Sequence, residues 1–161
     1  MKVQVINKSN NELPKYETEL SSGLDVRAYL SYDIKFAGSK SYYWKEDNKK
    51  GHIVLYPNER VIIPTGLFVS IPEGYEIQVR PRSGLAFKKG ITVLNTPGTI
   101  DADYRNEIGV ILINHGPNNV VIEDGDRIAQ LVLCPIAKIT WEEVDKLDET
   151  INVNSKLLNQ L

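Results

Sequence analysis

The sequence predicts an all-β domain of the sandwich or barrel class. Its apolar segments are short and rich in Val, Ile and Tyr, and turn residues interrupt them at nearly regular spacing. Long helical stretches do not alternate with these segments, which argues against repeating β and α units. A chain of 161 residues suits one compact domain with a substantial core.

The candidate strands lie between clear turn signals, of which Pro72-Glu73-Gly74 and Asp124-Gly125-Asp126 are typical. In chain order the predicted strands are Val3–Asn7, Leu24–Leu30, Ile53–Tyr56, Arg60–Pro64, Leu67–Ile71, Tyr75–Arg80, Ile91–Leu94, Ile108–Asn114, Val120–Ile122, Arg127–Pro135 and Lys138–Val144. Two short helices are predicted, at Ser83–Lys88 and Ser155–Leu161.

The organisation predicted from this pattern is a single β domain over residues 1–150, followed by a C-terminal tail over 151–161. Residues 38–52 interrupt the pattern, because they are polar, carry three aromatic residues and show no strand period. We expect an inserted surface hairpin or loop there. An element that docks a protein partner is the alternative.

Composition limits the possible partners and location. The net charge is −2, so no basic face for nucleic acid is expected, whereas a polyphosphate ligand needs only a local cluster of donors. The single cysteine, Cys134, excludes an internal disulfide, and its apolar surroundings in sequence predict a buried thiol. No signal peptide and no bilayer-spanning apolar stretch is found, so a cytoplasmic protein is expected.

The first chemical motif is Ser22-Gly23-Leu24-Asp25-Val26. Glycine before an aspartate at the start of a strand permits close backbone approach, and the carboxylate can hold a hydrated cation. An aspartate that only forms a turn is the alternative.

The second motif is Arg80-Pro81-Arg82-Ser83-Gly84-Leu85-Ala86. Arg82 offers a planar fork of donors that suits phosphate oxygens. Ser83 and Gly84 add a hydroxyl and main-chain N–H groups at the expected start of a helix. A surface arginine beside a capping serine is the other interpretation.

The third motif runs from Asn95 to Ile108, in the order Asn-Thr-Pro-Gly-Thr-Ile-Asp-Ala-Asp-Tyr-Arg-Asn-Glu-Ile. Pro97-Gly98 turns the chain, and Ile100 is expected to anchor the turn in the core. Carboxylates and a tyrosine ring then lie near one turn. Asn95 carries a donor and an acceptor, as the edge of a pyrimidine requires. A solvated hairpin turn would explain the same pattern.

The fourth motif is Gly125-Asp126-Arg127-Ile128-Ala129-Gln130-Leu131-Val132. Gln130 is a polar residue within an otherwise apolar strand, and a buried amide without partners would cost a few kcal/mol. We therefore expect Gln130 to bond neighbouring backbone or to reach a ligand.

Together, and in this order, these motifs resemble those of the trimeric dUTPase family. The similarity begins at Val3-Gln4-Val5-Ile6-Asn7 and extends to about Thr150. It implies a jelly-roll-like β barrel that forms a homotrimer, with each active site built from several subunits. The implied reaction is hydrolysis of dUTP to dUMP and pyrophosphate with Mg²⁺, which keeps uracil out of DNA and supplies dUMP for thymidylate synthesis.

The resemblance also implies roles for individual residues. Asp101 is the catalytic residue, because it matches the aspartate that binds the 3′-hydroxyl and orients the attacking water. Tyr104 matches the ring that packs on the sugar and excludes a 2′-hydroxyl, and Asp25 matches the acidic residue that holds Mg²⁺ mostly through water. The implied substrate-binding residues are Arg82, Ser83, Gly84, Asn95, Thr99, Ile100, Asp101, Tyr104, Gly109 and Gln130.

Three features depart from the family pattern. Residues 151–161 lack the family's glycine-rich arm, residues 38–52 are additional, and Asn106 stands where glycine is usual. Two alternatives follow. One is a dUTPase-like regulator that binds nucleotide and a protein partner but turns over slowly. The other is dCTP deaminase on the same fold, although Ala102-Asp103-Tyr104 differs from that family's sequence.

Overall fold

The computed structural model describes residues 1–31, 42–45 and 50–148, with the backbone alone for 42–45 and Lys50. Nearly all regular structure in this part is β. The elements are β1 (Gln4–Asn7), β2 (Leu24–Arg27), β3 (Tyr42–Lys45), β4 (Lys50–Leu55), β5 (Arg60–Pro64), β6 (Leu67–Ser70), β7 (Tyr75–Arg80), α1 (Ser83–Lys89), β8 (Ile91–Val93), β9 (Gly98–Ile100), β10 (Gly109–Asn114), β11 (Val120–Glu123) and β12 (Arg127–Pro135).

The strands pair antiparallel in small sheets. Among the described residues the sheet orders are β1-β6, β5-β10-β8, β11-β4-β3 and β2-β12-β7-β9. The last of these sheets carries most of the candidate site, because β12 lies between β2 and β7. Strands that are distant in sequence thus become neighbours in space.

The sheets enclose a single core of aliphatic side chains. Burial alternates along β5, β6, β10 and β11, as expected for strands with one face in the core. The buried polar side chains also have partners. Asn114 donates from Nδ2 to the carbonyls of Leu55 and Asn118 at 2.9 and 2.8 Å, and its Oδ1 accepts from the N–H of Gly116 at 2.8 Å.

Two strand predictions need correction. The predicted strand Lys138–Val144 is absent, and residues 136–148 form no regular structure. Its alternating apolar residues have no partner strand among the described residues, and Trp141 is 87% exposed. The strand β9 was not predicted, because Pro97-Gly98 suggested only a turn and the strand is three residues long.

Other expectations had mixed outcomes. The short helix predicted from Ser83 is present, whereas the one at 155–161 and the tail over 151–161 lie outside the described residues. β3 and the start of β4 fall in the segment 38–52 and pair with each other, and the rest of that segment is not described. Cys134 is half-buried, not buried, and its Sγ accepts a long contact from Arg80 at 3.6 Å.

Two further details bear on the expectations from sequence. Asn58 is the one described non-glycine residue with a positive φ, so Asn106 does not need the left-handed backbone that glycine would favour. No helix in the described ranges has the length and apolar character of a bilayer span.

Candidate active site

The carboxylate of Asp25 is the centre of a charged cluster on the four-stranded sheet. Asp25 lies opposite Gln130 in the pairing of β2 with β12, so the two side chains share a face. Gln130 donates from Nε2 to Asp25 Oδ1 at 3.3 Å. A Cβ on Gly23 would lie 3.3 Å from Gln130 Cβ, so the glycine leaves room for this arrangement.

Arg82 reaches the same carboxylate from the segment between β7 and α1. β7 ends at Arg80, which lies opposite Gln130, and the chain then passes over β12. Arg82 Nε lies 3.1 Å from Asp25 Oδ1, and its Nη1 donates to the Arg127 carbonyl at 3.2 Å. The Asp25 side chain is only 10% exposed, so this ion pair is partly shielded from solvent.

Arg127 completes the cluster and is not among the site residues predicted from the sequence. Its Nη1 lies 3.1 Å from Asp25 Oδ2 and 2.9 Å from Glu17 Oε1. Both oxygens of Asp25 therefore have a guanidinium partner. Arg127 belongs to the fourth motif, three residues before Gln130. Sequence alone does not show that its side chain points toward Asp25.

This cluster suits a polyanion together with a hydrated cation. In the described residues no group of three or more His, Cys, Asp or Glu side chains forms a metal cage. A cation held here would use the single carboxylate of Asp25, waters and the oxygens of its ligand. That is the coordination that Mg²⁺ favours beside phosphates.

The third motif forms a compact turn at the other edge of the sheet. Asn95, Thr99 and Asp101 are exposed, and Ile100 is buried, as predicted. A Cβ on Gly98 would lie 3.1 Å from Asn95 Nδ2, so the absence of a side chain at Gly98 allows the amide to fold over the turn.

Asn95 and Gly109 lie at the same end of the β8–β10 pair. Leu94 donates its N–H to the Ile111 carbonyl at 2.8 Å, and the two chains continue from there past Asn95 and Gly109. An amide side chain and the main chain of β10 are therefore close neighbours. This pairing offers donors and acceptors for a planar heterocycle.

Tyr104 is fixed in place by contacts at both ends. Its ring packs against the core, and its Oη donates to the Glu107 carbonyl at 2.9 Å. Glu107 Oε1 in turn accepts from the N–H of Gly66 at 2.6 Å. The ring therefore forms a rigid wall beside Asp101, whose carbonyl accepts from the Tyr104 N–H at 3.1 Å.

Ser83 and Gly84 lie exposed in the first turn of α1, directly after Arg82. The structure thus brings together the candidates of the first, second and fourth motifs. It does not bring them to those of the third motif. In the order β2-β12-β7-β9, three strand spacings separate β2 from β9, or about 14 Å.

The offset along the strands adds to this separation. Asp25 is level with Arg80, whereas Ile100 is level with Ile77, so Asp101 lies four residues further along. That offset corresponds to about 13 Å at the rise of a β-strand. Within one chain, Asp101 and Asp25 are therefore separated by roughly 19 Å.

Comparison with known proteins identifies the family to which this arrangement belongs. The family model described as dUTPase matches residues 50–157. The chain belongs to the dUTPase family. The resemblance predicted from the four motifs is thereby confirmed.

Curated relatives in this family match nearly the whole chain. A protein of Finegoldia magna is 50% identical over 150 residues, covering 93% of this chain and 92% of the relative. One of Fusobacterium nucleatum is 51% identical, covering 93% and 90%. Both are named deoxyuridine 5′-triphosphate nucleotidohydrolase.

Solved dUTPase structures share the fold. The dUTPase of Staphylococcus bacteriophage 80alpha matches with a TM-score of 0.72 at 24% identity, covering 92% of this chain and 99% of that one. The dUTPase of phage phi11 of S. aureus matches with a TM-score of 0.73 at 22% identity, covering 93% and 100%. The predicted all-β dUTPase fold is confirmed. A variant of the phi11 enzyme is described as coordinating a structural Mg(II) ion.

Proposed function

We propose that this dUTPase-family protein hydrolyses dUTP to dUMP and pyrophosphate with Mg²⁺, in the cytoplasm. This reaction keeps uracil out of DNA and supplies dUMP for thymidylate synthesis. The observation that carries the proposal is the convergence of three motifs on one carboxylate. The Asp25 carboxylate lies 3.1 Å from Arg82 Nε and 3.3 Å from Gln130 Nε2, although the three residues come from separate parts of the chain.

Asp101 is the catalytic residue in this proposal. Its exposed carboxylate accepts a hydrogen bond from the deoxyribose 3′-hydroxyl and another from the attacking water. The water oxygen forms a bond to the α-phosphorus and gives up a proton to the Asp101 carboxylate. The bond between the α-phosphorus and the α,β-bridging oxygen breaks, so pyrophosphate leaves with that oxygen and dUMP remains. A carboxylate that orients and polarises water in this way acts at neutral pH without being a strong base.

Base and sugar selection belong to the turn of the third motif. Asn95 and the main chain near Gly109 read the uracil edge, with Thr99 and Ile100 shaping the pocket beneath. Cytosine presents the wrong pattern of donors and acceptors, which leaves groups of the site unpaired. Tyr104 is held by its Oη contact to Glu107, so its ring cannot easily move aside for a 2′-hydroxyl.

The phosphate chain binds at the cluster around Asp25. Arg82, Ser83, Gly84 and Gln130 donate to phosphate oxygens, and Asp25 is the residue that would hold Mg²⁺. The ion supplies charge neutralisation and fixes the triphosphate conformation when it is bound. Arg82 Nε pairs with Asp25 Oδ1, so the guanidinium proposed to bind phosphate is held beside the carboxylate proposed to hold Mg²⁺.

The protein acts as a homotrimer with shared sites. Asp101 must approach the α-phosphorus while Arg82 and Asp25 hold the phosphate chain, and about 19 Å between them within one chain is too far for one nucleotide. These groups can meet on one nucleotide if one chain supplies Asp101 and a neighbouring chain supplies Arg82 and Asp25. The exposed apolar side chains of Ile139, Trp141 and Leu147 offer a surface for a neighbouring subunit to cover.

Substrate discrimination tests the proposed function. Pyrophosphate release from dUTP in the presence of Mg²⁺ is compared with release from dTTP, dCTP and UTP. We expect turnover of dUTP alone, and loss of turnover when the metal is chelated. Ammonia release from dCTP would assign the protein to deamination. Binding of dUTP without turnover would assign it to the regulatory class.

A further inference from the structure

The bend Thr65-Gly66-Leu67 lies where β5 passes into β6, and it holds the end of the third motif by three hydrogen bonds. Glu107 Oε1 accepts from the Gly66 N–H at 2.6 Å. Ile108 donates its N–H to the Leu67 carbonyl at 2.8 Å, and its carbonyl accepts from Thr65 Oγ1 at 2.7 Å. The 65–67 bend therefore fixes both the side chain of Glu107 and the backbone that follows it.

The contact made by Thr65 is buried. Thr65 is 1% exposed and Ile108 is fully buried, so the hydrogen bond between them is shielded from water. Thr65 Oγ1 also accepts from the Leu67 N–H at 3.2 Å. The hydroxyl thus donates and accepts at once, and its loss would leave polar groups unpaired in the core.

The bend is fixed from its other side by the end of β1. Lys8 donates its N–H to the Gly66 carbonyl at 2.8 Å. Gly66 has a φ of 71°, which favours glycine, and a Cβ there would lie 2.6 Å from Ser9 Cβ. The bend is packed between residues 8–9 and the third motif, so it cannot easily move away from Glu107.

The tyrosine ring of the third motif depends on this support. Tyr104 Oη donates to the Glu107 carbonyl at 2.9 Å, and Glu107 is the residue whose side chain the bend holds. The ring is partly buried against the core. A ring that is packed on one side and tied at its hydroxyl to a fixed carbonyl has little freedom to shift.

We propose that Glu107 and Thr65 are positioning residues for the discrimination between deoxyribose and ribose. They hold the Glu107 carbonyl in place, and this carbonyl holds the Tyr104 ring where a 2′-hydroxyl would collide with it. Both residues act through Tyr104 and not by touching the nucleotide. The inference rests on the proposed function, because it deepens the sugar selection of the same site. It adds residues outside the substrate-binding set derived from the four motifs.

Titration calorimetry on the full-length protein with the imido analogues of dUTP and UTP tests this assignment. The measured quantity is the ratio of the two dissociation constants, which is the preference for deoxyribose. The variants are Glu107→Ala, Thr65→Val and the double substitution. Glu107→Gln keeps an acceptor for the Gly66 N–H, and Thr65→Ser keeps the hydroxyl, so both test for rescue. Asn106→Ala is the matched control, because it truncates an exposed side chain beside Glu107.

The double variant should lower the preference for deoxyribose about tenfold, and each single variant several-fold. Glu107→Gln, Thr65→Ser and Asn106→Ala should keep a ratio close to that of the wild type. Circular dichroism shows which variants are folded at the assay temperature. Glu107 is only half-buried, so Glu107→Ala alone decides the question if the double variant does not fold.

A cycle with Tyr104→Phe shows whether the two residues act through the tyrosine. Tyr104→Phe keeps the ring but removes the hydroxyl that bonds the Glu107 carbonyl, so it should also lower the preference. Adding Glu107→Ala to it should then change the ratio little. The proposal is overturned if the substitutions weaken both analogues by the same factor, if the ratio stays at the wild-type value, or if Glu107→Ala lowers it equally with and without the tyrosine hydroxyl.

The same set separates failure of this inference from failure of the proposed function. Wild-type turnover of dUTP, together with an unchanged preference in the double variant, overturns the positioning role alone. Absence of wild-type turnover, together with a lowered preference in the double variant, overturns the hydrolase proposal and supports the positioning role.

Discussion

At the scale of single residues, Asp25 and Asp101 differ in environment as their proposed roles require. Asp25 is mostly buried and has two guanidinium partners and one amide, whereas Asp101 is exposed beside a fixed tyrosine ring. A carboxylate surrounded by cations can hold the arginine side chains in position beside the phosphates. An open carboxylate can bind a water and a sugar hydroxyl.

Asp101→Asn should abolish turnover and leave nucleotide binding largely intact. The amide can still bond the sugar hydroxyl, but it loses the charge that orients and polarises water, a loss of about 10²–10⁴-fold in rate. Steady-state kinetics with dUTP and calorimetry with the imido analogue measure the two effects. Wild-type turnover by the variant would remove Asp101 from its catalytic role.

Arg82→Ala should weaken binding of dUTP far more than binding of deoxyuridine, because the proposed contacts of Arg82 with the nucleotide are to phosphate oxygens only. Hydrogen bonds to charged groups contribute about 1.5–3 kcal/mol each, so the expected loss for dUTP is roughly 10- to 100-fold. Arg80→Ala is the control, since this neighbouring exposed arginine bonds Gln78 and not Asp25. Equal weakening of both ligands would show that Arg82 acts through structure instead.

At the scale of elements, the turn before β9 shows how a missing side chain positions a functional one. A Cβ at Gly98 would meet Asn95 Nδ2 at 3.1 Å, and Val79 Cβ lies on another side at 3.4 Å. The strand β9 fixes Gly98 opposite Val79, so the backbone cannot easily move away. The amide must then give way.

Gly98→Ala should therefore displace Asn95 and weaken deoxyuridine binding several-fold, while pyrophosphate binding stays at the wild-type level. Such contacts of a neutral amide contribute about 0.5–1.5 kcal/mol each. Calorimetry with the two ligands on the same preparation provides the internal control. Unchanged deoxyuridine affinity would show that Asn95 does not read the base.

The elements also show what sequence reasoning captures. Short apolar segments bounded by turn residues located β5, β10 and β12. Burial alternates along β5 and β10, because each of these strands has one face in the core. The apolar residues of Lys138–Val144 predicted a strand that is absent. Such a pattern shows which side chains favour burial, but it does not show whether another strand is available to pair with the segment. The role of Arg127 was missed because its contact with Asp25 depends on the pairing of two distant strands.

At the scale of the whole molecule, the core depends on a few buried polar groups as well as on apolar burial. Asn114 is fully buried and joins the carbonyls of Leu55 and Asn118 with the N–H of Gly116. These bonds tie β10 to the end of β4 and to the turn before β11. A side-chain amide of this size is needed to donate to both carbonyls and to accept from the N–H at once.

Asn114→Leu should destabilise the fold by about 1–3 kcal/mol per backbone group left unpaired. Denaturant unfolding followed by circular dichroism measures the change, with Asn119→Leu as an exposed control in the same loop region. Equal stability of the two variants would show that water replaces the Asn114 contacts.

Hydrolysis of dUTP at a site shared between chains is tested most directly by subunit complementation. Asp101→Asn and Arg82→Ala chains are prepared separately, then mixed in equal amounts, unfolded and refolded together. Rates are measured at a dUTP concentration well below the KM of the Arg82→Ala variant, so that each variant alone is nearly inactive. In random trimers about a quarter of the sites combine an intact Asp101 with an intact Arg82 from a neighbouring chain, so the mixture should regain about a quarter of the wild-type rate. A mixture that forms mixed trimers but remains as inactive as its components would contradict the claim.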